Sequence, residues 1–582
     1  MQNAETVLSV LRERGRRGLP CNELYRQLFN PQMYLLAYGR IYANDGAMTP
    51  GVTQETSDGM PMGKIEAIID ALRHERYRFS PVKRVHIPKR NGKMRPLGLP
   101  TWSDKLVGEV VRLLLEAYYE PTFSDRSHGF RPGRGCHTAL SEVANEWTGA
   151  TWFIEADISD CFGSLDHQVL LSILAEKIHD NRFLRLLRNM LQAGYLEDWV
   201  WNATLSGAPQ GGVVSPIFSN IYLHRLDSYV ETVLIPEYTR GRLRRSNPAY
   251  RKVERALARA RERGDRATAP AMRKRLRDLP SRDPYDPGFR RLRYVRYADD
   301  QLLGFIGPKA EAEQIKARLT AFLRDDLKLE LSATKTLITH ARTGAATFLG
   351  YEITAQHGGN ARRSANGKIA LRVPRTVITA KCAHYTQHGK PARRTRLTNA
   401  DDYTIASVYG AEYRGFVQYY LPASNVFRLN RLQWVMQTSM LKTLAAKHGS
   451  TVSKMAARYK AKIDTPHGLR TCSEATVERQ GRESLVARFG GIPLKRNRRA
   501  VLTDRDCQPA PFRYRELIHR LLRGVCEICK GTDDIQVHHV RKLADLTAPA
   551  KADTPAWMKT MARMRRKSLI VCGCCHDFTH AG

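Results

Sequence analysis

The stretch RYVRYADDQLLG, residues 293–304, predicts a β-hairpin. Apolar residues flank a Tyr-Ala-Asp-Asp tetrad on both sides, which is typical of two strands joined by a tight turn that presents paired carboxylates. Adjacent acids are also common in solvated turns, so the tetrad becomes informative only with partners. Two carboxylates held together favour a divalent cation, and a site for two metal ions needs a further carboxylate from elsewhere in the fold.

A second carboxylate-bearing strand is predicted in WFIEADISDCFGSL, residues 152–165. The apolar residues of this stretch form a strand that ends by presenting Asp157. Phe162 follows where the strand gives way to a helix, close enough to contact a sugar edge. An ordinary core position is the alternative for this aromatic side chain.

Two further segments each have a functional and a structural interpretation. The sequence GAPQGGVVSPIFSN, residues 207–220, has glycines that let the backbone approach a base or sugar, but a plain loop before a helix is equally compatible. Residues 84–99 predict a hairpin that turns at Asn91-Gly92. Its basic residues either protect a solvated edge or contact phosphate oxygens, which guanidinium groups suit. They are Lys89, Arg90, Lys93 and Arg95.

Composition indicates the class of partner. The chain has 582 residues, enough for roughly three or four domains. Its 94 Lys and Arg against 57 Asp and Glu give a formal net charge of +37, which implies a polyanionic partner, nucleic acid by default. The N-terminus lacks the pattern of a signal peptide, and no run of about 18 apolar residues occurs. We therefore expect a cytoplasmic protein with no membrane partner.

The C-terminal tail has two metal-binding patterns. Two CxxC pairs predict a zinc site that staples a domain too small to hold itself together: Cys526 and Cys529, with Cys572 and Cys575. Between these pairs, two adjacent histidines lie on a predicted strand, and two more follow at i and i+4 on one helix face. These are His538 and His539, then His576 and His580.

Several blocks occur in the order typical of one enzyme family: FIEADISDCF, GAPQGGVVSPIFSN, YADD, LELSATKT and TFLGYEI. Together they resemble the successive blocks of a reverse transcriptase. The upstream segments NDGAMTPGV, IPKRNGKMRPLGLPT and SHGFRPGRG further resemble the group II intron-encoded proteins of bacteria. The resemblance covers nearly the whole chain.

The resemblance implies that Asp157, Asp299 and Asp300 are the catalytic triad and bind Mg²⁺, with Asp157 and Asp299 carrying most of the coordination. It implies that Phe162 excludes a ribose 2′-hydroxyl and that Gln210 lies beside the nucleotide and template. Lys93 and Arg95 are the expected contacts of the dNTP substrate. The chain departs from the family at Gln301, where an apolar residue is usual.

Physical chemistry supports the same assignment. Nucleotidyl transfer needs one metal ion to activate a primer 3′-hydroxyl and another to neutralise the leaving pyrophosphate, so carboxylates must converge from two strands. Asp157 and Asp299 are the strand-end acids with fitting neighbours.

Two later regions are less specific. Residues 239–293 contain basic runs at helical spacing, such as RKVERALARARER, which indicate either a solvated helix face or phosphate contacts. Residues 401–460 predict helices that resemble the maturase or thumb region of the family. Four aromatic residues there could stack RNA bases, although such spacing is more often core: Tyr413, Phe416, Tyr419 and Tyr420.

The tail resembles an HNH nuclease. By that resemblance His539 is the general base for water, while His538, His576 and His580 are candidates for a divalent metal, expected to be Mg²⁺. The central asparagine of the motif is missing, and Ser568 stands at its place.

We therefore expect a multidomain α+β protein. Residues 1–360 are predicted to form the fingers and palm of a right-hand polymerase, and residues 361–470 a helical thumb, the maturase domain. Residues 471–515 are predicted as a small basic DNA-binding segment, and residues 516–582 as a zinc-stapled ββα-metal HNH domain. The expected partners are group II intron RNA, target DNA and dNTPs.

The sequence is compatible with three functions. The favoured hypothesis is an intron mobility protein that assists splicing of its intron RNA, nicks DNA and copies the RNA from the nicked end. A reverse transcriptase adopted by a host for defence or diversification is not expected to retain both a maturase-like region and an HNH tail. An RNA-binding splicing cofactor with idle sites is disfavoured by the intact Asp157, Asp299 and Asp300.

Overall fold

The computed structural model describes residues 3–581, apart from 45, 89–91, 93, 199, 205, 208–210, 359–364, 480–481, 502–515, 541–554, 556, 560 and 562–565. Helices are spread over the whole described chain. They are α1 (Ala4–Arg16), α2 (Leu24–Gln27), α3 (Pro31–Ile41), α4 (Met62–Arg73), α5 (Trp102–Tyr119), α6 (Cys136–Glu146), α7 (Cys161–Ser164), α8 (His167–Ala175), α9 (Asn181–Leu191), α10 (Ser215–Tyr229), α11 (Ile235–Glu237), α12 (Pro248–Glu262), α13 (Ala269–Asp278), α14 (Lys309–Asp325), α15 (Arg375–Ala383), α16 (Asp402–Tyr420), α17 (Asn430–Lys447), α18 (Val452–Arg458), α19 (Glu516–Leu522) and α20 (Gly573–Ala581).

The strands form several separate sheets. They are β1 (Met60–Pro61), β2 (Val82–Pro88), β3 (Met94–Leu99), β4 (Trp152–Asp157), β5 (Tyr195–Glu197), β6 (Val200–Asn202), β7 (Arg291–Tyr297), β8 (Asp300–Ile306), β9 (Ile338–His340), β10 (Ala346–Phe348), β11 (Tyr351–Ala355), β12 (Ile369–Arg372), β13 (Thr386–Gln387), β14 (Lys390–Pro391), β15 (Lys460–Ile463), β16 (Arg470–Arg479), β17 (Arg482–Gly490), β18 (Ile535–His539) and β19 (Ser568–Cys572). This mixture is the α+β architecture expected from the sequence.

The sheet that contains the two predicted carboxylate-bearing strands, the central sheet, has the order β7-β8-β4-β9. Both of its faces are buried, which explains why β8 has a run of apolar residues instead of alternating ones. Leu303 and Phe305 belong to the core formed with the N-terminal helices, whereas Leu302 belongs to the core formed with the C-terminal region. Gly304 has no side chain because the ring of Trp147 occupies that space, 2.5 Å from where a Cβ would lie.

The predicted basic hairpin forms strands β2 and β3 of a second sheet, with the order β3-β2-β5-β6. The long helix α5 packs against α1, α3 and α10, and all of its Leu and Val side chains are buried. Thr101 precedes the helix, and its hydroxyl accepts a hydrogen bond from the backbone N–H of Asp104 and so caps the first turn. The fingers-like part is therefore built around one buried helix.

The C-terminal helices α16 and α17 pack together and against the sheet β15-β16-β17. Tyr413 and Tyr420 are buried, and Phe416 and Tyr419 are partly buried against the same core. These four aromatic residues are therefore core residues of this region, the more common of the two interpretations.

The tail folds against the opposite end of the chain. Strand β1 pairs with β18, which pairs with β19, and α20 follows β19 directly. Leu517, Ile518 and Leu521 of α19 belong to the same buried core as the N-terminal helices. Across the described segments, none of the helices is long and apolar enough to cross a membrane.

Candidate active sites

The Tyr-Ala-Asp-Asp tetrad forms a two-residue turn between β7 and β8. Tyr297 pairs with Asp300 across the turn, and Ala298 has a positive φ of 54°. The last residue of β4, Asp157, lies directly opposite Asp300 in the register of the next strand pair. Asp157, Asp299 and Asp300 therefore lie together at one edge of the central sheet, as the sequence predicted.

This edge concentrates negative charge in a partly buried place. Burial, the charges of Asp299 and Asp157 and a hydrogen bond with Asp157 raise the pKa of Asp300 to about 7. Burial also raises the pKa of Asp299, and the charge of Asp157 adds to the effect, while Lys335 and Arg95 oppose it. Carboxylates with raised pKa values in a cleft are suited to a hard divalent cation.

Lys335 was not identified from the sequence, although it lies in the LELSATKT block. Its ammonium group donates a hydrogen bond of 2.8 Å to Asp157 Oδ2, and its side chain is 67% exposed. The oxygen atoms of the three carboxylates lie farther apart than the ligand atoms of a compact metal site. In the described part of the chain, three or more ligand atoms come within 4.8 Å of one another only in the two tail clusters treated below.

A buried ion pair stabilises the turn of the Tyr-Ala-Asp-Asp tetrad. Arg296 and Asp227 are both fully buried and are joined by hydrogen bonds of 2.6 and 2.7 Å. The same guanidinium donates to the carbonyl oxygen of Ala298 at 2.9 Å and to Ser127 Oγ at 2.8 Å. Because Ser127 belongs to the SHGFRPGRG block, the Arg296 guanidinium joins that block to the turn of the Tyr-Ala-Asp-Asp tetrad.

The structure describes two of the four residues that were predicted to contact the substrate. Phe162 is half-buried in α7, with its ring 6.2 Å from that of Phe130. Gly207, at a φ of 87°, lies so close to the backbone of Phe162 that a Cβ would be 2.7 Å from its carbonyl oxygen. Arg95 is exposed on β3. Gln210 and Lys93 lie outside the described residues.

The four predicted zinc ligands converge in the tail. The sulfur atoms of Cys526, Cys529, Cys572 and Cys575 all lie within 4.8 Å of one another, with 3.5 Å between those of Cys529 and Cys572. Burial opposes ionisation of Cys526, but hydrogen bonds from the backbone of Cys529, Cys572 and Ile528 lower its pKa to about 6. Thiolates in a closed set of four suit Zn²⁺. Cys574 is exposed and stands apart from this set.

The tail histidines form a second cluster. The rings of His538, His576 and His580 lie with centroids 4.6 to 5.5 Å apart. His538 lies on β18, while His576 and His580 lie on one face of α20, as predicted. His539 points elsewhere: it is 7% exposed, and its Nε2 is 3.1 Å from the hydroxyl of Tyr38. Burial lowers the pKa of His539 to about 4.

A fourth member of the histidine cluster was missed from the sequence. The carboxylate of Asp58 lies among the three imidazoles and also accepts a hydrogen bond of 2.6 Å from the backbone N–H of His539. Burial opposes ionisation of Asp58, but hydrogen bonds from His576 and the His539 backbone lower its pKa to about 2.

Three protein-family models match successive parts of the chain. Residues 87–244 match the model of reverse transcriptases, RNA-dependent DNA polymerases. Residues 368–489 match the type II intron maturases, and residues 526–576 match the HNH endonucleases of the AI2M/AI1M-like type.

Among individual proteins, the group II intron-encoded protein LtrA of Lactococcus lactis subsp. cremoris is 37% identical over 584 residues, covering 95% of this chain and 94% of LtrA. The chain belongs to the group II intron-encoded proteins. The chain is also similar to an uncharacterized 91 kDa protein in the cob intron of Schizosaccharomyces pombe. It is 32% identical over 573 residues, which cover 96% of this chain and 70% of the other.

This group II intron-encoded protein therefore has reverse transcriptase, maturase and HNH endonuclease domains. The prediction of an RNA-directed DNA polymerase with an endonuclease domain is confirmed. So is the α+β fold with a fingers and palm region.

Proposed function

We propose that this chain nicks target DNA and uses the nicked end to prime copying of its own group II intron RNA, which it also helps to fold and splice. The observation that supports this most is the register of the central sheet, where Asp157 is paired with Asp300 one residue from Asp299. Carboxylates from two strands at one edge are what a polymerase needs.

In this proposal Asp157, Asp299 and Asp300 hold Mg²⁺, which when bound stabilises charge that develops on the phosphates. The donor set fits, since it is all carboxylate and partly buried. Lys335 would balance the charge of Asp157 between catalytic cycles. Phe162 would lie against the sugar of the incoming dNTP, beside the glycine loop of Gly207. Gln210, Lys93 and Arg95 would contact the template and the triphosphate.

For the tail, we propose that Cys526, Cys529, Cys572 and Cys575 hold a structural Zn²⁺ in a ββα-metal domain made of β18, β19 and α20. His539 would act as general base, and His538, His576 and His580 would hold the nuclease metal. Mg²⁺ at this second site stays a prediction, and imidazole donors favour a transition metal over it. Ser568 pairs with His539 across β18 and β19, at the position expected for the missing asparagine.

Intron RNA would bind along basic surfaces of the chain. The helices α12 and α13 form a hairpin whose outer face is covered by exposed Arg and Lys side chains. They are Arg251, Lys252, Arg255, Arg259, Arg261, Arg263, Arg266, Arg273, Lys274, Arg275 and Arg277. Residues 361–470 would serve as thumb and maturase domain and residues 471–515 as a DNA-binding segment. We place this work in the bacterial cytoplasm, where thiol ligands stay reduced.

Two variants of the ribonucleoprotein separate the proposed activities. With target DNA, Asp299→Ala should still nick but make no cDNA, because only the polymerase carboxylates are changed. His539→Ala should not nick the DNA, yet it should extend a primer that is supplied already annealed. A variant that retains both activities, or loses both, would contradict the assignment of separate sites.

A further inference from the structure

The nuclease histidines meet a carboxylate from the other end of the chain. The oxygens of Asp58 lie 3.6 Å from His538 Nδ1, 3.3 Å from His576 Nε2 and 2.8 Å from His580 Nε2. Four ligands bound to one ion at about 2.0–2.2 Å lie about 3.4 Å apart in a tetrahedron. The three separations from Asp58 bracket that value, and the four ligand atoms all lie within 4.8 Å of one another, so one ion can contact all four side chains after the histidines move closer together.

The loop that carries Asp58 is fixed to the nuclease domain by its backbone. Met60 pairs with Val537 and Pro61 with Gln536. The N–H of Gly59 also donates a hydrogen bond of 2.9 Å to the carbonyl oxygen of Val537. Helix α19 adds an apolar contact with the N-terminal core. The carboxylate is therefore positioned by strand pairing and core packing together.

The same docking covers the proposed general base. The ring of His539 lies 5.7 Å from the ring of Tyr42, and its Nε2 is 3.1 Å from the hydroxyl of Tyr38. Both tyrosines lie in or next to α3. Because His539 is only 7% exposed and its Nε2 lies against Tyr38, this arrangement covers the proposed general base, and DNA cleavage requires the N-terminal region to separate from it.

We propose that Asp58 is the fourth ligand of a metal site shared by the N-terminal region and the nuclease domain, and that this site holds the nuclease closed. The inference rests on the proposed assignment of His538, His576 and His580 as metal ligands. Three imidazoles and one carboxylate fill a tetrahedral site, whereas catalysis needs an open position for water or phosphate. His580 is 51% exposed and provides an entry path for the ion.

The direct test is hydrogen exchange of residues 55–61 in protein whose cysteine site already holds zinc. A second equivalent of Zn²⁺ should slow exchange in this segment of the wild type, because the ion ties Asp58 to the tail. The slowing should be absent in Asp58→Asn, whose amide oxygen still accepts the hydrogen bond from His539 and so preserves the fold. Glu66→Gln, an exposed change on the adjacent helix α4, is the matched control and should behave as the wild type.

Zinc affinity separates this inference from the proposed function. Asp58→Asn and His576→Ala should each weaken binding of the second zinc at least about tenfold. If His576→Ala weakens it and Asp58→Asn does not, the shared site is wrong and the histidine site stands. If neither variant changes it, the histidine site is itself wrong.

The closed state is tested by nicking at saturating metal. Because the metal in Asp58→Asn no longer ties the N-terminal region to the nuclease domain, that region separates from His539 more readily, and this variant should nick target DNA faster than the wild type and the Glu66→Gln control. Nicking by Asp58→Asn that is no faster than that of the wild type would overturn the claim that the site holds the nuclease closed.

Discussion

Removing the carboxylate of Asp227 should destabilise the turn of the Tyr-Ala-Asp-Asp tetrad, because the buried ion pair of Asp227 with Arg296 supports that turn. Asp227 and Arg296 are both 0% exposed, and the guanidinium also donates to the carbonyl oxygen of Ala298 in the turn. In Asp227→Ala the cation stays buried without a counter-charge, which costs about 3–5 kcal/mol. We expect primer extension to fall as well, because Ala298 and the adjacent Asp299 lose their fixed support.

Hydrogen exchange in β7 and β8 measures this loss directly. Since about 1.4 kcal/mol corresponds to a tenfold change in an opening equilibrium, amides of these strands should exchange roughly two to three and a half orders of magnitude faster. The matched control is Glu313→Ala, which breaks the exposed pair of Lys309 and Glu313, where both side chains are more than half exposed. That pair is worth about 0.3–0.5 kcal/mol.

The outcome that would refute the reasoning is exchange in Asp227→Ala no faster than in Glu313→Ala. A second variant checks the cause of the effect. Replacing both partners, Asp227→Leu with Arg296→Met, should recover part of the lost protection, because no charge is then left buried alone.

Three further predictions concern the metals and the RNA. Cys529→Ser should lose the structural zinc, measured by elemental analysis, while primer extension continues; unchanged zinc content would contradict the ligand assignment. Because the pKa of Asp300 is raised to about 7, it is mostly protonated at pH 6 and ionised at pH 8, so the Mg²⁺ concentration for half-maximal extension should fall across that range. A constant requirement would argue against Asp300 as a ligand. Affinity for intron RNA should fall steeply with salt, since several phosphates release counterions, and a salt-independent affinity would exclude the basic surface.

Local patterns were enough to predict the polymerase edge. The hairpin of 293–304 and the strand that ends at Asp157 depend on residue alternation and a short turn, both of which are encoded within a few positions. The tail strand with His538 and the helix with His576 were predictable for the same reason. In each case the backbone element and the reactive side chain belong to one contiguous segment.

Contacts between distant segments were not predictable from one sequence. Asp58 meets His580 across more than five hundred positions, and no period or turn signal links the two. Arg296 is one of three arginines in β7, and only the fold shows that Asp227 of α10 neutralises it. The long hairpin β16–β17 was also not predicted, since Arg and Glu residues interrupt its apolar ones and leave only a weak alternation.

The most direct test of the account is primer extension on an RNA template with Mg²⁺ by Asp299→Ala. The account predicts no extension, with intron RNA affinity within about threefold of the wild type, or roughly 0.6 kcal/mol. Asp326→Ala, which removes an exposed acid at the end of α14, should extend normally. Extension by Asp299→Ala at the wild-type rate would contradict the assignment of the polymerase site.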